Sequence, residues 1–322
     1  MVRYLNENDV KQLLPMDRAI QAVEDAFRQL SAGQAENMPR HRLHSPKGTL
    51  HLMAASLPQL GVMGLKVYTV FAGRAFFLVH LYSTETGELL AVIEANRLGQ
   101  IRTGATTGVA IRWMARKESR FVGIFGSGWQ ARTQLQAVCQ IRPIQQIQAF
   151  SRSSPRLQEF CKEMEKKLNI PCLAARTPQE IVEQADILIT ITTSAAPVFS
   201  GAWLKDGTHI DAAGANYLIK RELDDICLAR CSSIVVDSRE QARLECGELL
   251  SSMVKGVLNW NGVLELGEVV AGRAAPRTDS SQITLFKSLG LALEDVAVAA
   301  EVYRRAKAEN IGKILSSFGY QH

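Results

Sequence analysis

Apolar residues recur at helical spacing in two stretches near the start of the chain. Val10, Leu13 and Leu14 follow the capping pair Asn8-Asp9, and Ala19, Ile20, Val23, Ala26, Phe27 and Leu30 follow Met16-Asp17. Ala32-Gly33 predicts the end of the second helix. From Pro39 the pattern shortens to the period of strands, predicted at 49–54, 63–71, 75–82 and 89–94. The polar segment 84–88 (TETGE) reads as the turn between the last two. This is an antiparallel sheet with preceding helices, followed by a helix over 100–115.

From Arg120 the chain alternates apolar runs with helical spacing. Strands are expected at 121–125, 147–150, 187–192, 208–212 and 233–236, with helices at 130–140, 155–168 and 178–184. Such alternation predicts a parallel, doubly wound sheet. The fold class is therefore α/β, a Rossmann sheet joined to an α+β domain with an antiparallel sheet. A long helix over 291–314 carries the chain back toward the first domain. The expected division is 1–117, with the C-terminal helix 291–322 returning to it, and 118–290.

The apolar run 121–125 feeds directly into Gly126-Ser127-Gly128-Trp129-Gln130-Ala131. Strand, glycine turn and helix is the setting in which G-x-G-x-x-A signals a dinucleotide site. Gly126 permits the tight turn and Gly128 lets the backbone approach a pyrophosphate. Ala131 lets the helix pack close to the sheet, with its N-terminus toward the phosphates. The second strand of this domain ends at Ser151-Arg152-Ser153, where an acid would mark NAD. Arg152 flanked by hydroxyls suits a 2′-phosphate instead, which favours NADP(H) with NAD(H) as the alternative.

Composition narrows the chemistry. A net charge of +5 over 322 residues, with no long basic run, argues against nucleic acid and suits small anionic ligands. The six cysteines are scattered, and neither they nor the histidines have metal-ligand spacing, so no metal is expected. They read as reduced thiols of a cytoplasmic protein. The N-terminus is too polar for a signal peptide, and no apolar run reaches membrane-spanning length.

Lys66 stands inside the apolar strand Met63-Gly64-Leu65-Lys66-Val67-Tyr68. On one face with Gly64 and Tyr68, its amine would have a lowered pKa and serve as an acid near neutral pH. Taken alone, a half-exposed outward lysine is the commoner case. Arg102 opens a helix of small residues beside Thr103, Thr106 and Thr107, an anion-binding combination. Arg40 and Arg42 are further carboxylate candidates, and spacing does not choose between them.

These segments together resemble the ornithine cyclodeaminase/mu-crystallin family along nearly the whole chain. The resemblance is carried by LHLMAA (50–55), GLKVYTVF (64–71), TETGELLAVIEAN (84–96), IRTGAT (101–106), GIFGSGWQA (123–131) and ADILITITTSAAPVF (185–199). It continues in GTHIDAAGAN (207–216), KRELDD (220–225), VVDSREQA (235–242), LELGEVV (264–270) and TLFKSLGLALED (284–295). It implies a homodimer whose antiparallel-sheet domain holds the substrate and whose Rossmann domain holds the nicotinamide cofactor. Lys66 would then lie by the reacting carbon, with Arg102 and one of Arg40 or Arg42 on the substrate carboxylate. Cofactor contacts would come from Thr103, Gly126, Ser127, Gly128, Trp129, Gln130, Ser151, Arg152, Ser153, Thr192, Thr193 and Ser288.

One departure bears on the reaction. Asn216 stands where the cyclodeaminase and alanine dehydrogenase members carry Asp, and an amide cannot take up a proton. Asn216 is a catalytic-site candidate that orients rather than titrates, and Asp211 is a possible relocated acid. The implied activity is reduction of the C=N bond of an α-imino acid, cyclic or acyclic. The alternatives are a cyclodeaminase using bound NAD and a ligand-binding protein like mu-crystallin.

Overall fold

A computed structural model describes residues 1–315. The chain forms two compact units, Met1–Thr106 with Gly290–His322 and Thr107–Leu289. The division falls inside a helix, between Thr106 and Thr107, whereas the sequence pattern suggests 117/118 because that helix reads as continuous.

The first unit begins with β1 (Val2–Leu5), α1 (Glu7–Leu13) and α2 (Met16–Ser31). Asn6, two residues ahead of the expected cap at Asn8, starts α1: its side chain accepts from the Asn8 and Asp9 amides at 2.8 and 3.1 Å. Five long strands follow: β2 (Glu36–Ser45), β3 (Gly48–Leu57), β4 (Val62–Phe71), β5 (Arg74–Ser83) and β6 (Leu89–Glu94). Next comes α3 (Asn96–Met114), whose first part belongs to this unit. Strand β2 was not expected, because Pro39 and its four charged or imidazole neighbours Glu36, Arg40, His41 and Arg42 break the apolar alternation.

The chain re-enters this unit through α11 (Ala292–Ala308) and β15 (Lys313–Leu315). The helix expected to 314 stops at Ala308, and β15 pairs antiparallel with β1, which runs parallel to β6. The sheet is therefore mixed at that edge, in the order β15-β1-β6-β5-β4-β3-β2. The rest of the C-terminal segment expected to return to this domain, 316–322, lies outside the described residues. Val296, Ala297, Val298 and Ala299 are all buried, so α11 is apolar on most sides. It lies between the sheet and α2, whose Ala19, Ile20, Val23 and Phe27 complete the core.

The second unit contains β7 (Phe121–Phe125), α4 (Ala131–Ile141), β8 (Gln146–Phe150), α5 (Ser154–Leu168), β9 (Cys172–Ala174) and α6 (Pro178–Gln184). It continues with β10 (Ile187–Thr190), β11 (His209–Ala212), α7 (Asp225–Arg230), β12 (Ser233–Val236), α8 (Arg239–Glu245) and α9 (Gly247–Val254). Three last elements, β13 (Val263–Glu265), α10 (Leu266–Val270) and β14 (Thr284–Lys287), complete it. All eight strands run parallel in the order β13-β12-β14-β11-β10-β7-β8-β9. The order reverses between β7 and β10, which places the ligand crevice of such a sheet at their C-terminal ends. Strands β9, β13 and β14 were not predicted: the first two span three residues each, and β14 ends in a buried lysine.

Candidate active site

In the first unit, strand alternation sets which residues of β4 face α11. A Cβ at Gly64 would meet Val296 Cγ2 at 2.8 Å, so Gly64 lets the strand lie against the helix. Two residues on, Lys66 points to the same side and is 3% exposed. Its ammonium donates to Asp295 Oδ1 at 2.7 Å, from the first turn of α11. Arg102, on α3, donates through Nε to that same oxygen at 3.2 Å and through Nη1 to Glu294 Oε2 at 2.6 Å. Thr106 Oγ1 donates to Glu294 Oε2 at 2.9 Å. The cluster is buried, and Asp295 Oδ2 has no hydrogen-bond partner among the described residues.

Gly290 ties two arginines to this cluster. Its carbonyl accepts from Arg40 Nη2 at 3.1 Å. Its φ is +80°, and a Cβ there would stand 2.8 Å from Arg102 Nη1. Arg40 is buried, whereas Arg42 is half-buried and pairs across the strands with His51. A row of rings runs beside Lys66. His51 stacks on Tyr68 at 4.1 Å, Tyr68 stacks on Phe77 at 4.8 Å, and Lys66 Nζ lies 5.8 and 5.5 Å from the Tyr68 and Phe77 centroids.

Burial is the main cause that brings the Lys66 pKa down to about 8; Asp295 opposes it, while Arg102 and Arg40 add to it. Burial also disfavours charge on Arg102, but Asp295 and Glu294 outweigh it and hold that guanidinium protonated. His51, lowered to about 4 by burial, Arg42, Arg40 and His44, is neutral. The arrangement can hold a carboxylate on guanidinium groups and give up a proton from an amine near neutral pH.

In the second unit, the turn after β7 has the form the sequence anticipates. Gly126 has φ +109°, and a Cβ there would meet Ile191 O at 2.5 Å. A Cβ at Gly128 would meet no protein atom within 4 Å, so the turn is open where a pyrophosphate would approach. Ala131 is fully buried at the start of α4. Ser127 and Ser151 hydroxyls are 3.1 Å apart, Arg152 is exposed at the end of β8, and Ser153 follows half-buried. Trp129 is exposed and Gln130 half-buried at the helix entry. These residues fit a dinucleotide.

At the opposite lip of the crevice, Glu222 joins the loops that follow β10 and β11. It accepts from Thr192 N and Oγ1, both at 2.7 Å, and from Gly214 N at 2.8 Å. Thr193 is exposed next to it, and Asn216 is half-buried in the loop after β11. Below them Lys287 and Glu248 form a buried ion pair at 2.7 Å. Ser288 is buried, its hydroxyl 3.4 Å from Asp237. Thr103 lies in the first unit, where its hydroxyl donates to Gly99 O at 2.7 Å.

The sequence did not single out Asp295, Glu294, Gly290, Glu222, Glu248 or Lys287. A signal was available for the first two: adjacent acids in the first turn of a helix, followed directly by the apolar run 296–300. Asp211 is fully buried and accepts from Thr107 Oγ1 at 3.2 Å. Burial pushes its carboxyl up to about 8, so it stays protonated in the fold where the unfolded chain would ionise. The contribution of Asp211 to folding stability therefore declines as pH rises from about 4 to about 8. Asp211→Asn is expected to raise Tm by roughly 5 °C at pH 7.5 and little at pH 4; a pH-independent difference between the two melting curves would refute this origin.

The profile of the ornithine cyclodeaminase/mu-crystallin family matches residues 2–310. The chain belongs to this family. It is similar to the alanine dehydrogenase of Archaeoglobus fulgidus, 37% identical over 98% of each chain. Among solved structures it is similar to the Δ1-pyrroline-2-carboxylate reductase of Thermococcus litoralis in complex with NADH and L-proline. That match has TM-score 0.93 and 34% identity, covering 97% of this chain and 100% of the other. It is also similar to an archaeal alanine dehydrogenase dimer with bound NAD, at TM-score 0.92 and 36% identity over 98% and 99% of the two chains. Among the described residues, no helix is long and apolar enough to cross a membrane, and no group of metal-ligating side chains is present.

Proposed function

We propose that the protein is an NAD(P)H-dependent oxidoreductase that reduces the C=N bond of an α-imino acid, and in reverse oxidises the amino acid. The observation that carries this reading is the buried Lys66–Asp295–Arg102 cluster. Arg102 and Arg40 hold the substrate carboxylate; Arg40 is preferred to Arg42 because it is buried and shares Gly290 with Arg102. Lys66, with a pKa of about 8, gives its proton to the imine nitrogen. The nucleotide, when bound, supplies the hydride to the imine carbon. Relatives that carry NADH with L-proline, or NAD, support this assignment.

In the second unit, Gly126, Ser127 and Gly128 with the start of α4 take the pyrophosphate, flanked by Trp129 and Gln130. Ser151, Arg152 and Ser153 meet the adenosine ribose, and the exposed Arg152 favours NADPH. Thr192, Thr193, Ser288 and Thr103 remain proposed contacts on the cofactor, and Asn216 a proposed orienting amide. The sheet face away from α11 exposes Met38, Leu43, Met63, Phe71, Phe76 and Leu78, which supports burial against a second copy in a homodimer. Free thiols at all six cysteines suit a cytoplasmic setting.

The test is a panel of pyrroline-2-carboxylate, piperideine-2-carboxylate, and pyruvate with ammonia or methylamine, run against NADPH and NADH. Cofactor oxidation above background is expected, with kcat/KM higher for NADPH. Background rates across the panel would overturn the reductase reading. Ammonia release from ornithine without net change in NAD would replace it with cyclodeaminase chemistry.

A further inference from the structure

The proposed chemistry uses Lys66 and Arg102 but gives no task to the acid between them. Asp295 is fully buried, and a single oxygen, Oδ1, receives both the ammonium at 2.7 Å and the guanidinium Nε at 3.2 Å. Its other oxygen is buried without a hydrogen-bond partner among the described residues. A half-satisfied carboxylate at this depth is costly, and for structure alone an apolar set in place of Lys66, Asp295 and Arg102 together would serve at least as well.

The surroundings limit what else could hold these two cations. Glu294, one residue earlier on α11, is occupied by Arg102 Nη1, Thr106 and the Leu291 amide. From β4 and β5 the ammonium meets the Tyr68 and Phe77 rings, which fix no direction for a proton. From α3 it meets Gly99, where an added Cβ would lie 3.6 Å from Nζ, and from β2 it feels the charge of Arg40.

We propose that Asp295 is the positioning residue of this site: its single shared oxygen fixes the proton-donating amine relative to the carboxylate-binding guanidinium. The distance between the substrate's carboxylate and its nitrogen is fixed by covalent bonds, so the two protein groups must keep a matching distance. Asp295 supplies that register from one atom. It also keeps the amine charged through neutral pH, working against burial, Arg102 and Arg40. This inference rests on the imino-acid reading above.

The test compares Asp295→Asn and Asp295→Glu with wild type across pH. With Lys66 as the acid, imine reduction falls as pH rises through about 8. In Asp295→Asn that falling limb is expected at least one pH unit lower. Its kcat at pH 7 should drop on the order of 100-fold, with Kd for NADPH within twofold, and Asp295→Glu should recover part of the rate. Lys66 protonation is read independently from the pH dependence of its acetylation by acetic anhydride, measured by peptide mass spectrometry. That readout separates the two ideas, since an inactive wild type would refute the reductase reading alone. An unmoved limb and an unmoved labelling profile in Asp295→Asn would overturn the positioning role. So would a loss of kcat matched by an equal loss of folded protein.

Discussion

Lys66→Met is expected to lower kcat for imine reduction ~1000-fold, within the range for loss of a general acid, while nucleotide affinity stays within about twofold. Methionine keeps most of the lysine's length and apolar stem, so packing against Tyr68 and Phe77 is retained. What disappears is the proton and the cation facing Asp295. Asp295 then keeps only Arg102 as a charged partner, so the variant should also melt earlier than wild type at neutral pH. Single-turnover rates with saturating NADPH, together with a fluorescence titration of the nucleotide, check both halves. Equal losses of rate and nucleotide affinity would mean that the lysine only supports the fold.

Gly290→Ala is expected to be nearly as damaging, although it adds one methyl group. The backbone at φ +80° disfavours any L side chain by about 1–2 kcal/mol. The methyl would also sit 2.8 Å from Arg102 Nη1 and 3.1 Å from Nη2, closer than carbon and nitrogen tolerate. The guanidinium must give way, and the carbonyl that binds Arg40 moves with the strained backbone. kcat/KM for the imino acid should fall on the order of 100-fold, mainly through KM, since groups clamping a substrate lose that much on small displacement. A steady-state comparison at saturating NADPH measures it; an unchanged KM would show that neither arginine holds substrate.

The sequence was most informative where local rules act alone. The glycine turn, the strand–helix alternation of the second unit and the placement of Lys66 on an apolar strand all follow from short-range periodicity. Strands β2 and β14 escaped because each carries charged residues whose partners are distant in sequence. Arg40 finds Gly290, and Lys287 finds Glu248. Asp295 was invisible as a functional group for the same reason: an acid at a helix start is ordinarily a favourable end charge, and only the fold brings β4 and α3 to it. The lowered pKa anticipated for Lys66 did follow from the apolar strand, but its extent depends on three charged neighbours from three other elements.

The first unit is assembled from both ends of the chain, with β1 zipped to β15 and α11 laid under the sheet. During synthesis on the ribosome, Lys66 and Arg102 emerge long before Glu294 and Asp295, while the intervening residues 107–289 form one uninterrupted folding unit. A nascent chain halted before α11 therefore carries a nucleotide half that can close on itself and an amine with no counter-charge. A chain terminated anywhere before α11 lacks Glu294 and Asp295, the acids that Lys66 and Arg102 pair with in the folded first unit.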